Sequence, residues 1–327
     1  MRIGITYDLK TDTSPRPDQP DDFQEEFDSP VTIEAIAAVL RAADHEVIKL
    51  GDGRELLKRL LADPPDFVFN IAEGEGVGRS REARVPAVLE MLGIPYTGSD
   101  PLTLAVTLDK DCAKRLVASA GVAVPKNCLV TPNRKCQSYA GPFPAIVKPA
   151  WEGSSKGIRN CCVVDRAEDL PSVIESLRRD HRQPVMVEEF IPGDEVTVGV
   201  LGDGPPRILG VMRVLPRQPT ERFVYSLEVK RDFRNQVRYE CPPKLPAPQV
   251  KAIEGAALNA YEVLGCRDVA RVDFRVRDGV PYFLELNPLP GLNPESSDLV
   301  ILAEIVGWTY GQLIESILDA AIARQKK

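Results

Sequence analysis

Three oxygen-bearing side chains late in the chain have the types and the spacing of a metal site. The stretch from Val269 to Pro290 alternates polar and apolar residues on both sides of an Asp-Gly dipeptide, which predicts a β-hairpin. In the register that keeps the apolar positions together, Asp273 lies opposite Glu285, and carboxylates placed in this way repel each other. A divalent cation would offset the repulsion, and the oxygen donors of Asp273, Glu285 and Asn287 suit Mg²⁺. The alternative is an ordinary hairpin with a solvated polar face.

The length of the hairpin loop decides this register. A two-residue loop at the Asp-Gly dipeptide would set Asp273 opposite Leu284 and mix polar with apolar residues on one face. A three-residue loop instead sets Phe274 against Leu284. It also sets Val272 against Leu286. We therefore predict the three-residue loop.

A glycine-rich loop in the middle of the chain is a candidate phosphate site. The loop Pro149–Gly157 is built from small residues whose backbone N–H groups are free to hold phosphate oxygens. Lys148 closes the apolar strand before it, where a positive charge needs a partner such as phosphate. A surface Gly-Ser loop would explain the glycines but not this lysine.

Two acids flank a pair of apolar residues further along the chain. Glu188 and Glu195 stand on either side of Phe190-Ile191, and carboxylates beside apolar side chains suit a purine and its ribose. Charges on an edge strand are the alternative. A second glycine-rich run, at residues 74–78, fits G-x-G-x-G rather than the dinucleotide-binding pattern and carries little weight.

The composition excludes several classes of protein. The chain has 327 residues, which suggests two or three domains, and 43% of them are hydrophobic. No apolar run reaches the ~20 residues of a membrane span. The net charge of −7 argues against a nucleic-acid partner. The first residues read as a strand rather than a signal peptide, so we expect a cytoplasmic protein.

Cysteine and histidine are placed unfavourably for zinc, disulfide or serine-hydrolase chemistry. The seven cysteines are scattered and never form a CxxC motif, as expected for reduced thiols. His45 and His181 are the two histidines, and neither has a Cys or His nearby in the sequence.

The elements that would position these residues fall into three predicted domains: 1–100, 101–183 and 184–327. Strands and helices alternate through the first, which predicts a parallel sheet wrapped by helices. Its acidic segment Asp12–Asp28 is too polar for a core and is predicted to be a mobile loop. A long polar loop is predicted at Arg217–Pro243.

Four motifs, taken together and in order, resemble the ATP-grasp enzymes, and within them the D-alanine–D-alanine ligases. They are MLGIPYTGSDPLTLAVTLDK, FPAIVKPAWEGSSKGI, VEEFIPGDEVTV and RVDF…FLELNPLPGL. The similarity covers most of the chain from about Leu89 onward. It implies α/β and α+β architecture: an ATP-grasp fold preceded by an N-terminal parallel α/β domain.

The resemblance also implies roles for individual residues. ATP contacts are implied at Lys110, Lys148, Ser154, Ser155, Glu188, Glu189, Phe190, Ile191, Glu195, Lys230 and Leu284. Mg²⁺, as two ions and with Mn²⁺ as an alternative, is implied at Asp273, Glu285 and Asn287. Catalytic roles are implied for Arg271, Ser154, Lys230 and Gly291, with Arg271 steadying an oxyanion beside the Gly291 N–H. Contacts with the amino-acid substrates are implied at Ser296, Glu25, Glu26, Tyr225 and Arg231.

The chemistry implied by the resemblance is a two-step ligation. A carboxylate takes the γ-phosphoryl group of ATP to give an acyl phosphate, and an amine then displaces phosphate to form an amide. Amino acids are the implied small-molecule substrates, and a homodimer is the usual assembly of the family. A carboxylase of the same superfamily, or an ATP-binding protein without turnover, is the alternative.

The sequence departs from the family in the amino-acid pocket. The family's His-Gly…Gly-Glu-Asp-Gly segment is replaced by residues 72–82, its N-terminal Gly-Gly loop by the acidic segment, and its long-loop tyrosine by Arg231. Substrates other than D-alanine are therefore a hypothesis. Arg79, Arg81 and Arg84 are candidates to accept a more acidic or larger carboxylate.

Overall fold

Three β-sheets follow one another along the chain in a computed structural model, which describes residues 1–11, 19–131, 139–202, 204–220 and 222–326. The first contains the parallel strands β1 (Arg2–Thr6), β2 (Glu46–Lys49) and β3 (Phe67–Asn70), in the order β2-β1-β3. Helices α1 (Pro30–Ala42), α2 (Gly53–Ala62) and α3 (Arg84–Leu92) alternate with these strands. The predicted parallel α/β region is confirmed.

Two short helices, α4 (Pro101–Leu108) and α5 (Lys110–Ser119), lead to the second sheet. Its antiparallel strands are β4 (Asn127–Val130), β5 (Ala145–Pro149), β6 (Val163–Val164) and β7 (Val185–Glu189), in the order β4-β7-β5-β6. Helix α6 (Leu170–His181) covers this sheet because Leu170, Ile174 and Leu177 pack on its valines. The sheet presents Lys148 and Glu188 from adjacent strands.

The third sheet is antiparallel and carries the predicted metal hairpin. Its strands are β8 (Asp194–Leu201), β9 (Arg207–Pro216), β10 (Val237–Glu240), β11 (Val269–Arg277) and β12 (Val280–Asn287), in the order β10-β9-β8-β11-β12. Helices α7 (Leu227–Arg231) and α8 (Phe233–Gln236) precede β10, and α9 (Ala247–Val263) precedes β11. Helices α10 (Asp298–Ile305) and α11 (Tyr310–Gln325) end the chain.

One hydrophobic core joins the two ends of the chain. Ile5 of β1 and Ile36 of α1 share a buried cluster with Leu313 and Ile317 of α11. A separate core lies beneath the third sheet, where Ile253 of α9 packs with its strands. The first of these cores also contains Leu201 of β8 and Val269 of β11, so it holds the first and third sheets beside each other. Among the described residues, no helix has the length and apolar character needed to cross a membrane.

The hairpin turn differs from the prediction. Arg277 pairs with Val280, so the loop is only Asp278-Gly279, with positive φ values of 52° and 79°. Two successive residues with positive φ are typical of a two-residue hairpin loop whose twist matches the strands. The predicted three-residue loop is wrong.

A β-bulge restores the predicted pairing at the functional end of the hairpin. The register shifts between Asp273 and Phe274, so that Phe274 pairs with Phe283 rather than with Leu284. Leu284 is the extra residue on β12, as in a bulge that places two residues against one. The pairs Arg271–Asn287, Val272–Leu286 and Asp273–Glu285 are confirmed.

Two predicted loops are more ordered than their composition suggests. Residues 12–18 lie outside the described residues, but in 19–28 the side chains of Asp22, Gln24 and Glu26 are buried. The predicted long loop Arg217–Pro243 contains α7, α8 and β10. Both predictions are wrong for these parts, because polar residues here find partners far away in the sequence.

The division into three domains stays a prediction. Its second boundary, at residue 183, falls just before β7, and β7 pairs with β4 and β5 of the second sheet.

Candidate active site

Two cavities meet at one side chain of the third sheet. The larger has a volume of about 290 Å³ and is walled by residues from 25–32 and 69–82 on one side and from 269–297 on the other. The smaller has a volume of about 80 Å³ and lies between the second and third sheets. Glu285 lines both cavities, so the hairpin end is their common wall.

Asp273 occupies the cavity face of β11 and is tightly held. The alternation of the strand sends Val272 and Phe274 into the core and Arg271 and Asp273 to the other face. The Arg271 guanidinium donates to the Asp273 carboxylate at 3.0 Å, and the Thr197 hydroxyl donates at 2.8 Å. The Asn287 amide donates at 3.3 Å. Burial raises the pKa of Asp273, although Arg271 opposes the change.

Glu285 is paired with a lysine from another part of the chain. The Asp109 carboxylate caps α5 by accepting from the Cys112 N–H at 3.1 Å, and the helix then begins at Lys110. The Lys110 ammonium lies 3.0 Å from the Glu285 carboxylate. Burial works to raise the pKa of Glu285, but Lys110 and then Lys148 hold it far below its usual value.

The charges of the facing acids are therefore offset by the protein itself. Arg271 neutralises Asp273, and Lys110 neutralises Glu285. The premise that these two acids need a divalent cation in order to face each other is wrong. Asp273 and Glu285 nevertheless face each other across the two strands, as predicted, and the Asn287 amide lies 3.3 Å from Asp273.

Glu188 lies between two lysines, one of which sequence reasoning missed. The Lys148 ammonium is 2.5 Å and the Lys114 ammonium 3.2 Å from the Glu188 carboxylate. Lys114 also donates to the carbonyl oxygens of Phe283 and Leu284, at 3.0 and 2.9 Å. These carbonyls belong to the β-bulge, so Lys114 fixes the bulge in place.

The burial of Lys114 had a signal in the sequence. Lys110 and Lys114 are one helical turn apart in α5, which puts both ammonium groups on the same face of the helix. Burial, only partly offset by Glu188, lowers the pKa of Lys114 to about 8. The same two lysines hold the pKa of the buried Glu188 below its usual value.

The smaller cavity collects most of the residues that the resemblance assigned to ATP. Its walls include Lys148, Ser155, Glu188, Glu189, Phe190, Ile191, Glu195, Lys230 and Leu284. Lys110 lines neither cavity, although its ammonium reaches Glu285. Apolar side chains thus face a ring of charged ones, as a nucleotide requires.

Arg275 is a second residue that sequence reasoning missed. Its guanidinium lies 3.1 Å from the Glu195 carboxylate and 4.7 Å from the centre of the Phe190 ring. Glu189 is similarly engaged by Arg277, at 2.5 Å. Both acids at this wall therefore have cationic partners within the protein.

The glycine-rich loop is shaped by two serines in the left-handed region. Ser154 has a φ of 47° and Ser155 a φ of 59°, which is a costly backbone conformation for non-glycine residues. Ser154 lines the larger cavity and Ser155 the smaller. The Ser155 hydroxyl donates to the Tyr225 carbonyl at 3.0 Å, which ties the loop to the segment before α7.

A buried four-charge cluster joins the same loop to Glu26 and Arg81, which lie much earlier in the chain. Arg81 contacts Glu26 at 2.8 Å and Glu152 at 3.1 Å, and Lys156 contacts the same acids at 3.1 and 2.6 Å. The Gly153 N–H donates to the other Glu26 oxygen. Burial works to raise the pKa of Glu26, but Arg81 and Lys156 hold it at about 2.

The arginines expected to receive an acidic substrate are used elsewhere. Arg81 is only 1% exposed, and its guanidinium is ion-paired with Glu26 and Glu152. Arg79 lies 3.6 Å from Asp109, and Arg84 donates to the Glu75 carbonyl. None of the three arginines lines the larger cavity, so this expectation is wrong.

The predicted substrate residues divide between the cavities. Ser296, Glu25 and Glu26 line the larger one, together with Arg271 and Gly291. Tyr225 lines the smaller one, where the Lys230 ammonium lies 5.0 Å from its ring centre. The Tyr225 hydroxyl meets Asp298 and Tyr239, both at 2.9 Å.

Arg231 reaches neither cavity. Its guanidinium contacts Asp21 at 2.9 Å and Glu25 at 2.8 Å. The structure therefore does not bring Arg231 or Tyr225 to the larger cavity with the other predicted substrate residues.

A cleft between two antiparallel sheets, lined by apolar side chains and ringed by buried lysines and acids, is the arrangement of an ATP-grasp ligase. The family model described as "D-ala D-ala ligase C-terminus" matches residues 116–319. The chain belongs to the D-alanine–D-alanine ligase family, and it is an ATP-dependent carboxylate–amine ligase that forms an amide bond.

Relatives of known name cover nearly the whole chain. It is 34% identical to the D-alanine–D-alanine ligase of Syntrophotalea carbinolica, over 90% of this chain and 91% of the relative. It is 35% identical to that of Aquifex aeolicus, over 88% and 93%. The ATP complex of the Bacillus anthracis D-alanine–D-alanine ligase superimposes with a TM-score of 0.75 at 25% identity, covering 100% of this chain and 99% of that one.

Proposed function

We propose that this chain joins two amino acids by activating the carboxylate of one with ATP and presenting it to the amine of the other. ATP would bind in the smaller cavity and the amino acids in the larger one. The observation that carries the proposal is that Glu285 lines both cavities. A phosphoryl group leaving one cavity can therefore meet a carboxylate in the other.

The roles proposed for the nucleotide residues follow from their charges. Lys148 and Lys110 supply positive charge at the junction, and phosphoryl transfer is catalysed largely by positioning and charge neutralisation. Phe190, Ile191 and Leu284 offer apolar surface to the base. Ser154 and Ser155 hold the glycine-rich loop across the junction.

A Mg²⁺ ion fits the donor set at the junction. Asp273, Glu285 and Asn287 offer carboxylate and amide oxygens, which Mg²⁺ prefers. Glu285 stays ionised because Lys110 and Lys148 hold its pKa down. The bound ion would neutralise charge on the transferred phosphoryl group. Arg271 and the Gly291 N–H both line the larger cavity. They would stabilise the negative charge that develops on the oxygen of the reacting carboxyl group.

The particular amino acids are a separate question from the chemistry. The named relatives are D-alanine–D-alanine ligases, but the chain departs from the family where the amino acids bind. We therefore propose a ligase whose preferred substrates need not be D-alanine. We also retain, as proposals, a cytoplasmic homodimer and the domain division 1–100, 101–183 and 184–327.

The proposal is tested by ADP release from ATP and Mg²⁺ in the presence of single and paired amino acids, with the product identified by mass. ADP that appears only with amino acids, together with an amide product, is expected. Binding of ATP with no turnover in any mixture would instead support the alternative of an ATP-binding protein without activity. Mg²⁺ is tested by removing it, which should stop ADP release.

A further inference from the structure

The wall that the first domain gives to the larger cavity is strongly acidic. Seven carboxylate side chains line this cavity, against the single ammonium of Lys10 and the single guanidinium of Arg271. Lys10 is exposed, and Arg271 is already paired with Asp273. The cavity therefore holds an excess of negative charge.

Cationic partners just outside the cavity account for only four of these acids. Arg231 pairs with Glu25, and Lys110 pairs with Glu285. Arg81 and Lys156 together neutralise the two acids of the four-charge cluster. Asp28, Glu73 and Glu82 remain. Within the described ranges, no lysine or arginine nitrogen lies within 4.0 Å of their carboxylates.

Glu82 is the most buried of the three acids. It is only 7% exposed, it lines the cavity, and it is hydrogen-bonded to another acid, Glu73, while Arg81 and Lys110 act on it only as more distant charges. Burial raises the pKa of Glu82 to about 7, and burial followed by Glu82 raises the pKa of Glu73 well above its usual value. Burial, then Asp8, raises the pKa of Asp28 to about 7. Buried acids without a partner are costly, and an arriving cation would relieve that cost.

Counting charges favours a substrate with more than one ammonium group. Asp28, Glu73 and Glu82 offer three carboxylates to this cavity, and none of them forms an ion pair within the described ranges. Two simple amino acids bring only one ammonium, because the attacking amine must be neutral to form the amide bond. That one ammonium cannot pair with all three carboxylates, and an acid left without a cationic partner in this cavity is unfavourable. A second ammonium balances it.

We propose that Asp28, Glu73 and Glu82 form a subsite for the side-chain ammonium group of a diamino acid, which is one of the two substrates of this ligase. The opposite wall, with Arg271 and the Gly291 N–H, takes the reacting carboxylate. This inference rests on the proposed function, and it replaces the expectation of an acidic substrate with one of the opposite charge.

The test compares each diamino acid with a neutral amino acid of the same length. Lysine is paired with norleucine and ornithine with norvaline, in both enantiomers, each alone and with D- or L-alanine. ADP release gives kcat/KM, and the mass of the product shows which amide forms. The diamino acid is expected to exceed its neutral counterpart by about tenfold or more in at least one enantiomer, as a buried ammonium–carboxylate contact provides.

Three variants connect the preference to the subsite. Glu82→Gln and Glu73→Gln should reduce the ratio of diamino to neutral kcat/KM towards one. Glu75→Gln removes an acid of the same segment that is exposed and outside the cavity, so the ratio should stay unchanged. Thermal unfolding shows whether each variant is folded, and the two cavity variants should be at least as stable as the parent.

The outcomes separate the subsite from the ligase itself. Equal kcat/KM for diamino and neutral amino acids, with amide formed from both, would overturn the subsite and leave the ligase standing. A preference that survives unchanged in folded Glu82→Gln and Glu73→Gln would also overturn it. The absence of ADP and amide with every amino acid would refute the proposed function instead.

Discussion

Replacing Lys114 by Met tests whether a buried ammonium sets the geometry of the active site. The substitution keeps a long apolar side chain but removes the donor to Glu188 and to two carbonyl oxygens of the bulge. Removing one partner of a buried ion pair costs roughly 3–5 kcal/mol when the other charge is left alone. Here Lys148 still neutralises Glu188, so we expect the free energy of unfolding to fall by about 2 kcal/mol.

The functional effect should be larger than the effect on stability. Without Lys114 the bulge at Leu284 loses its anchor, and Glu285 can move away from its place opposite Asp273. A displacement of about 1 Å in an active site costs on the order of a hundredfold in rate. We therefore expect kcat for ADP release to fall by about a hundredfold in the folded variant.

Urea unfolding and initial rates of ADP release measure the two effects. Lys58→Met is the matched control, because this lysine is 70% exposed and its ion pair with Glu55 lies on the surface. The control should change the free energy of unfolding by less than about 0.5 kcal/mol and leave kcat unchanged. If Lys114→Met also unfolds like the parent and keeps its kcat, the ammonium does not hold the bulge and the reasoning fails.

Three further predictions concern charge and backbone. Glu285→Ala should abolish ADP release and lower the free energy of unfolding by about 2 kcal/mol, because Lys110 loses its partner; normal turnover would contradict the metal assignment. The folded-state pKa of Glu82, about 7, lies above the ordinary 4.5, so between these pH values the free energy of unfolding should fall as pH rises. In urea titrations, Glu82→Gln should make this fall smaller by about 1–3 kcal/mol. An equal fall with pH in the parent and the variant would refute the prediction. Gly157→Ala should lower the melting temperature more than Gly76→Ala. Both glycines have positive φ, but only at Gly157 would the added methyl carbon clash with another residue, lying 2.4 Å from a Pro149 side-chain carbon. Equal losses of melting temperature would disprove the clash.

The periodic pattern of the chain predicts its elements, because burial of alternating or helical faces is a local property. The sequence places β1 at Arg2–Thr6 and β7 at Val185–Glu189, as in the structure. It also predicts that Asp273 faces Glu285. The route to that pairing was wrong, because the bulge depends on Lys114, which lies 170 residues from Leu284. No local pattern carries that information.

Long-range charge pairing explains the other errors. The acidic segment before α1 looks too polar to be buried, yet Glu26 is paired with Arg81 and Lys156, 55 and 130 residues away. The arginine expected to meet a substrate is the partner that makes this burial favourable. Composition gives the charge of a segment, but only the fold decides which opposite charge compensates it.

The four-charge cluster of Glu26, Arg81, Glu152 and Lys156 has a consequence for product release. Glu152 and Lys156 belong to the glycine-rich loop, whereas Glu26 and Arg81 reach it from stretches that are far apart in sequence. If this loop is to lift and let a finished product depart, the Arg81–Glu152 and Lys156–Glu26 contacts and the Gly153–Glu26 hydrogen bond must break. The separated buried charges would then have to be hydrated, so the rate of product release would depend on how readily water enters the cluster.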